Sequence, residues 1–157
     1  LEQQLGMLVN AKKSVVVAST PSLAGSIAQA SLNGKVRPAR WARLLGTAAT
    51  GGKRRLNKVN ASRLLKARAT AQRVRRLRGT GVNTATMTRT AITPALTYGA
   101  DVLGLANTTL TKCRNVVEKA ASAGGGGKNS NTSLFVLDAQ SGTMDPAFDA
   151  HALPVMS

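Results

Sequence analysis

The sequence predicts a mainly helical protein with a small β element. The strongest signal lies in residues 53 to 78. There Leu56, Val59, Leu64, Ala67, Ala71, Val74 and Leu77 follow a 3.6-residue period and form one apolar stripe. The apolar share of 43% is ordinary for a folded chain. It is rich in Ala, with Trp41, Tyr98, Phe135 and Phe148 as its only aromatics. Such a set suits close-packed helices and buries less area per residue than an aromatic core. The β signal is the β-branched run Val15-Val16-Val17 after Ser14.

Taken in order, residues 1 to 9 read as the end of an amphipathic helix, with Leu1, Leu5 and Leu8 on one face. A chain that starts in mid-helix is expected to be a piece of a longer one. Asn10 and Ala11 break this helix, and residues 14 to 17 form a short strand. Thr20 then caps a helix whose first turn holds Pro21 and which passes Leu23, Ile27 and Ala30 before stopping near Asn33 and Gly34. Residues 40 to 47 carry Trp41, close on Gly46 and read as a second strand. Gly51 and Gly52 make a hinge-like break. The long basic helix follows and ends at Gly79 and Gly81. Residues 84 to 95 form a helix bent or ended by Pro94. Its threonines are weak helix formers and fit a decayed copy of an older sequence. Asn107 or Thr108 caps a last helix that runs to about Ala121.

The expected organisation is a unit of two short strands and helices over residues 1 to 50, then a basic helical unit over 51 to 121. A Gly-rich linker covers 122 to 132, and a weakly structured tail covers 133 to 157. The linker holds four consecutive glycines. The tail has one apolar run, Leu134-Phe135-Val136-Leu137, too little to form a core by itself.

Charge decides the class of partner. The formal net charge is +16, and 18 of the 22 Lys and Arg residues precede Asp101, the first acid after Glu2. Uncompensated like charges repel and destabilise the compact state, so so one-sided a surface implies a polyanion. Nucleic acid is the commonest. On residues 53 to 78, Lys58, Lys66, Arg73 and Arg76 lie opposite the apolar stripe, and no acid supplies the i to i+4 pairs that support a merely solvated charged helix. The same charge attracts membrane surfaces. The stripe opposite these cations is rich in Ala, whereas an interfacial helix needs bulky apolar residues there. No apolar stretch approaches a membrane span, and the amphipathic start does not resemble a secretory signal.

Catalytic signals are sparse. Glu2, Asp101, Glu118, Asp138, Asp145 and Asp149 form no paired motif, and His151 is the only histidine. Cys113 is the only cysteine, so there is neither an internal disulfide nor a cysteine-based metal site. A lone thiol fits a reducing compartment. The cluster Arg73-Val74-Arg75-Arg76-Leu77-Arg78 fits an intracellular, nuclear setting.

Several local motifs stand in a telling order: Gly6, Met7, Asn10, Lys13 and Ser14, then Leu45 and Gly46, then the basic helix, then Pro94 and Tyr98-Gly99-Ala100-Asp101. Together they resemble the C-terminal palm and thumb of reverse transcriptases from non-LTR retrotransposons, over roughly residues 1 to 121. In that family a Gly-Leu-x-x-Asn-x-x-Lys-Thr/Ser turn follows the catalytic strand, and Met7 here replaces its Leu. A Leu-Gly closes the hairpin of the primer grip. The Tyr-Gly-Ala-Glu segment has Asp101 for its Glu.

The resemblance implies a palm remnant followed by a helical thumb. It implies that Lys13 matches a lysine near the leaving pyrophosphate, where an ammonium acts as general acid or stabilises charge. A plain surface lysine at a strand start is the competing reading. Leu45 and Gly46 would approach the primer terminus. Arg40, Arg43, Lys53, Arg54, Arg55, Lys58, Arg63, Lys66, Arg73 and Arg76 would follow the backbone of an RNA or DNA template–primer duplex. Trp41 is read first as a core anchor and second as a stacking surface. The catalytic carboxylates precede Leu1 in this family, so Mg²⁺ belongs to the parent enzyme and this piece is expected to bind no cofactor and to be inactive alone. Its partners would be the template–primer duplex and the rest of the polymerase chain, with no membrane. The alternative is a non-catalytic basic nucleic-acid-binding protein of ribosomal or chromatin type.

Overall fold

A computed structural model describes residues 10, 12–31, 34–52, 56–122, 129–141 and 143–152. The expected helix at residues 1 to 9, the helix stop at Asn33, the cations Lys53, Arg54 and Arg55, and the four glycines lie outside the described residues. The chain divides into two compact units, Leu1–Asn57 and Lys58–Ser157. It is mainly helical, with two small sheets of two strands each.

In the first unit, β1 (Val15–Val17) leads into α1 (Pro21–Ala30), which returns the chain to β2 (Arg37–Ala39). Strands β1 and β2 pair in parallel, with Val15 against Arg37 and Val17 against Ala39. Thr20 caps α1 as expected, its hydroxyl accepting the Leu23 N–H at 3.3 Å, with Pro21 in the first turn. The next two strands, β3 (Trp41–Leu44) and β4 (Thr47–Thr50), form an antiparallel hairpin.

Two strands were expected here and four are present among the described residues. Arg37-Pro38-Ala39 and Thr47-Ala48-Ala49-Thr50 carry little β propensity, and pairing with β1 and β3 makes them strands. Pro38 is tolerated because a two-stranded sheet leaves each strand an open edge. The unit's interior is made of small residues: Ala24, Ala28, Val36 and Ala48 are buried. Gly51 is more than a hinge, since a β-carbon there would collide with the Ala18 carbonyl.

The second unit is built on α2 (Lys58–Leu77). The helix begins later than the apolar period suggested, because Leu56 and Asn57 precede its first turn. A 3₁₀ turn (Arg78–Thr80) and Gly81, at φ 79°, end it. Then come α3 (Thr84–Met87), a π-helical turn (Thr88–Ile92) and α4 (Thr93–Thr97). Pro94 does not end this helix; the π turn lies just before α4 and the helix continues past the proline.

That extra residue in the turn also explains the threonines. Thr84, Thr88, Thr93 and Thr97 are spaced four, five and four apart, and all are buried. Their hydroxyls bond inside the fold, Thr88 to the Thr84 carbonyl at 2.7 Å and Thr93 to the Met144 carbonyl at 3.1 Å. The threonine-rich segment is therefore an inward face.

Short α5 (Ala100–Leu103) precedes α6 (Asn107–Ala121). Ala106 is the N-cap of α6, without a side-chain cap, and Asn107 falls inside the first turn rather than capping it. The tail departs most from expectation. Residues Ser130–Ser141 form α7, and Phe148–Ala152 form a second π-helical turn. Leu134 and Met144 are fully buried with Leu64, Ala67, Ala71, Val74, Ile92, Leu96, Cys113, Val116 and Val117. Of the apolar run, Leu134 completes a core that α2 and α6 begin and Leu137 packs against it, while Phe135 and Val136 stay exposed.

Candidate nucleic-acid interface

In the first unit the Asn10 turn places Lys13. The Asn10 carbonyl accepts the N–H groups of Lys13 and Ser14, both at 3.0 Å, and the Ser14 hydroxyl at 2.9 Å. Beyond Ser14 the chain enters β1, and the parallel register sets Val15 beside Arg37. Lys13, Arg37, Arg40, Trp41, Arg43 and Leu44 thereby line one open cleft of about 720 Å³. Arg40 and Arg43 were expected at a nucleic-acid surface and Lys13 beside the leaving pyrophosphate, and all three line this cleft. Arg37 was missed because its strand was missed. All four cations are exposed, and Trp41 is half-buried on the same wall. Its ring is thus both a partial anchor and a lining group.

Leu45 and Gly46 form the two-residue turn of the β3–β4 hairpin, with φ of 46° and 86°. Two positive φ values make this a type I′ turn, which matches strand twist and normally takes Asn-Gly. Leu45 is 84% exposed at the tip.

In the second unit, Lys58, Lys66, Arg73 and Arg76 are exposed on the outer face of α2, opposite buried Leu64, Ala67, Ala71 and Val74. Arg63 is placed differently from its expected role. Its guanidinium donates to the Tyr98 carbonyl at 2.6 Å and lies 4.9 Å from the Tyr98 ring centroid. It ties α2 to the turn after α4. Arg78, half-buried, donates to the Ala120 carbonyl at 3.0 Å and so satisfies an end group of α6.

Four more cations gather where sequence reading did not look. Arg68 and Arg75 of α2 and Lys112 and Lys119 of α6 line a groove of about 370 Å³. Each pair is seven residues apart. That spacing is the signal that would have found them, but only the packing of α2 on α6 shows that the pairs face one groove.

The acids do little to offset this charge, because most are engaged inside the second unit. Asp145 takes both ends of the Arg114 guanidinium at 2.9 and 2.6 Å and caps the Ala147 N–H. Asp149 accepts from Thr97, and Glu118 accepts from Ser122. Asp138 accepts the Met144 N–H at 2.6 Å; burial raises its pKa above the usual aspartate range, and that hydrogen bond opposes the rise. Burial also pushes the Cys113 thiol up to about 11, against a smaller opposing pull from Arg68. No group of three or more His, Cys, Asp or Glu able to hold a metal ion occurs among the described residues. No described helix is long and apolar enough to cross a membrane.

The arrangement presents fixed positive charge with hydrogen-bond donors over two concave surfaces, one in each unit. Such surfaces suit phosphodiester contacts. No protein-family model, curated protein or solved structure matches this chain.

Proposed function

We propose that this chain binds nucleic acid through phosphate contacts, as a palm-and-thumb piece of an RNA-directed DNA polymerase that lacks the catalytic carboxylates. The observation that carries the binding is the one-sided charge: 18 cations before Asp101, with no acid between Glu2 and Asp101. The positions of the exposed cations support it, since Lys13, Arg37, Arg40 and Arg43 share a cleft and Lys58, Lys66, Arg73 and Arg76 share a helix face.

The polymerase parentage rests on the order of motifs along the chain. Two local features agree with it. Lys13 lines a cleft with Arg37, Arg40 and Arg43, and Leu45-Gly46 is the tip of the hairpin that carries Arg43. In this reading the partners are RNA and DNA, the setting is nuclear, and the piece alone performs no polymerisation.

A filter-binding series across salt tests the contacts. With about six phosphates neutralised, log K against log salt has a slope near −5 on B-DNA and a shallower one on single strands. A flat response discards the reading. A basic ribosomal or chromatin protein shares the slope. Sequence upstream of Leu1 separates the two, because only a polymerase carries a Tyr-x-Asp-Asp strand there.

A further inference from the structure

We propose that the groove between α2 and α6 seats a single strand of nucleic acid, held by its phosphates between two cationic rails. The inference rests on the reading that the partner is nucleic acid, and it concerns a different surface from the outer face of α2.

The α2 rail reads Arg68, Gln72, Arg75, and the α6 rail reads Lys112, Asn115, Lys119. Each is a cation, an amide and a cation, with steps of four and three on one helix and three and four on the other. The two helices run in the same direction. Arg68 acts on the Cys113 thiol near one end, and Arg78 reaches the Ala120 carbonyl at the other. Arg68 therefore stands across from Lys112, and Arg75 across from Lys119. The floor is Ala71 and Val116, both buried, so the walls are polar and the base is flat and small.

The spacing fits a stacked strand. Seven residues at 1.5 Å rise separate the cations of one rail by about 10.5 Å. Phosphates of a stacked strand rise by about 3.4 Å per nucleotide and also wind around its axis, so this separation suits phosphates about two nucleotides apart. The two cations of a rail thus reach two phosphates of one strand, with an amide between them. The Asn115 carbonyl oxygen already takes the Ser130 hydroxyl at 2.9 Å, which leaves its NH₂ to donate to the strand.

Packed helices lie about 8–10 Å apart axis to axis, so the two rails are close enough to flank one phosphate backbone. Among the described residues no carboxylate lines the groove; the neighbouring Glu118 bonds Ser122 instead. Four cations facing one another without an acid repel, and an entering polyanion relieves this. Among the described residues no aromatic side chain lines it either, so phosphate contacts rather than stacking carry the binding.

The test compares two quadruple variants of the full chain that remove equal charge. One carries Arg68→Gln, Arg75→Gln, Lys112→Gln and Lys119→Gln. The other carries Lys58→Gln, Lys66→Gln, Arg73→Gln and Arg76→Gln. Fluorescence anisotropy measures binding to an oligothymidylate of about twelve nucleotides and to a duplex of equal length, across salt. The groove variant is expected to lose about 100-fold or more in single-strand affinity near 100 mM salt and to flatten that slope by about three. The outer-face variant should keep the single-strand slope within about one of the wild-type value.

Equal losses in both variants overturn the groove while leaving the nucleic-acid reading standing. Failure of the wild-type chain to bind either oligonucleotide, or its preference for phosphatidylserine vesicles, overturns that reading and the groove with it. Should the groove variant lose its helical signal, the near-isosteric Gln72→Glu with Asn115→Asp replaces it. Carboxylates between the rails must then weaken single-strand binding by at least about tenfold, and unchanged binding overturns the proposal.

Discussion

At the residue scale, the second unit holds most of its few acids where they are structurally committed. Asp145 pairs with Arg114 through two hydrogen bonds, with side chains 16% and 25% exposed. Partial burial and bidentate geometry set this pair apart from a surface salt bridge. Asp138 is the more diagnostic case. Its folded pKa is raised above the ordinary 3.8. The folded state therefore binds more protons than the unfolded one between these two values, and stability falls as pH rises through that window. Asp138→Asn, whose carbonyl still accepts from Met144, should gain stability relative to wild type between about pH 3.5 and pH 6. Urea denaturation at both pH values checks the sign, and a gap that narrows with rising pH refutes it. Cys113 is 2% exposed with its thiol pushed up to about 11. It should resist a disulfide reagent at neutral pH until the chain is unfolded by denaturant. Rapid labelling of the native protein would show that α2 and α6 do not bury it.

At the element scale, local chemistry wrote α1 plainly, since Thr20-Pro21 is an unambiguous start. The hairpin was half legible. Gly46 marked the end of β3, yet Leu45 in a left-handed conformation is not a turn signal any propensity supplies. Leu45→Asn should stabilise the first unit by about 1 kcal/mol, because Asn accepts this conformation and the leucine it replaces is almost fully exposed. Thermal denaturation reads the shift; destabilisation would mean that the Leu45 side chain has a packing role. The threonine helix was misjudged for a different reason. Propensity treats Thr as a weak helix former, whereas burial and hydrogen bonds to Thr84, Met144 and Asp149 make these positions an inward face. A π turn keeps that face aligned past Pro94, and no period-based reading anticipates an inserted residue.

At the scale of the whole molecule, the tail shows how far a core can reach beyond the segment that announces it. Leu134 and Met144 are fully buried against α2 and α6, although a low-complexity run precedes them in the sequence. Leu134→Ala should cost about 2–5 kcal/mol. Chemical denaturation followed by helical signal measures it, and a loss below about 0.5 kcal/mol would mean that α7 does not share the core. The candidate surface was legible in kind and only partly in place. Lys58, Lys66, Arg73 and Arg76 followed from the period of one helix. Lys13, Arg40 and Arg43 were named individually, and pairing of β1 with β2 united them with Arg37 around one cleft. Arg63 looked like the other helix cations, but its guanidinium is turned to Tyr98.

By itself the sequence determined the helical class, the first-unit helix and its cap, the apolar stripe of α2 and the sign of the chain's own charge. These depend on composition and on spacings of a few residues, which act before any long-range contact forms. Tertiary structure alone decided that Arg37 joins Lys13, that Arg68 and Arg75 face Lys112 and Lys119, and that Leu134 and Met144 belong to the core. Those facts join positions distant in the chain, and only packing against a common apolar surface brings them within reach of one another.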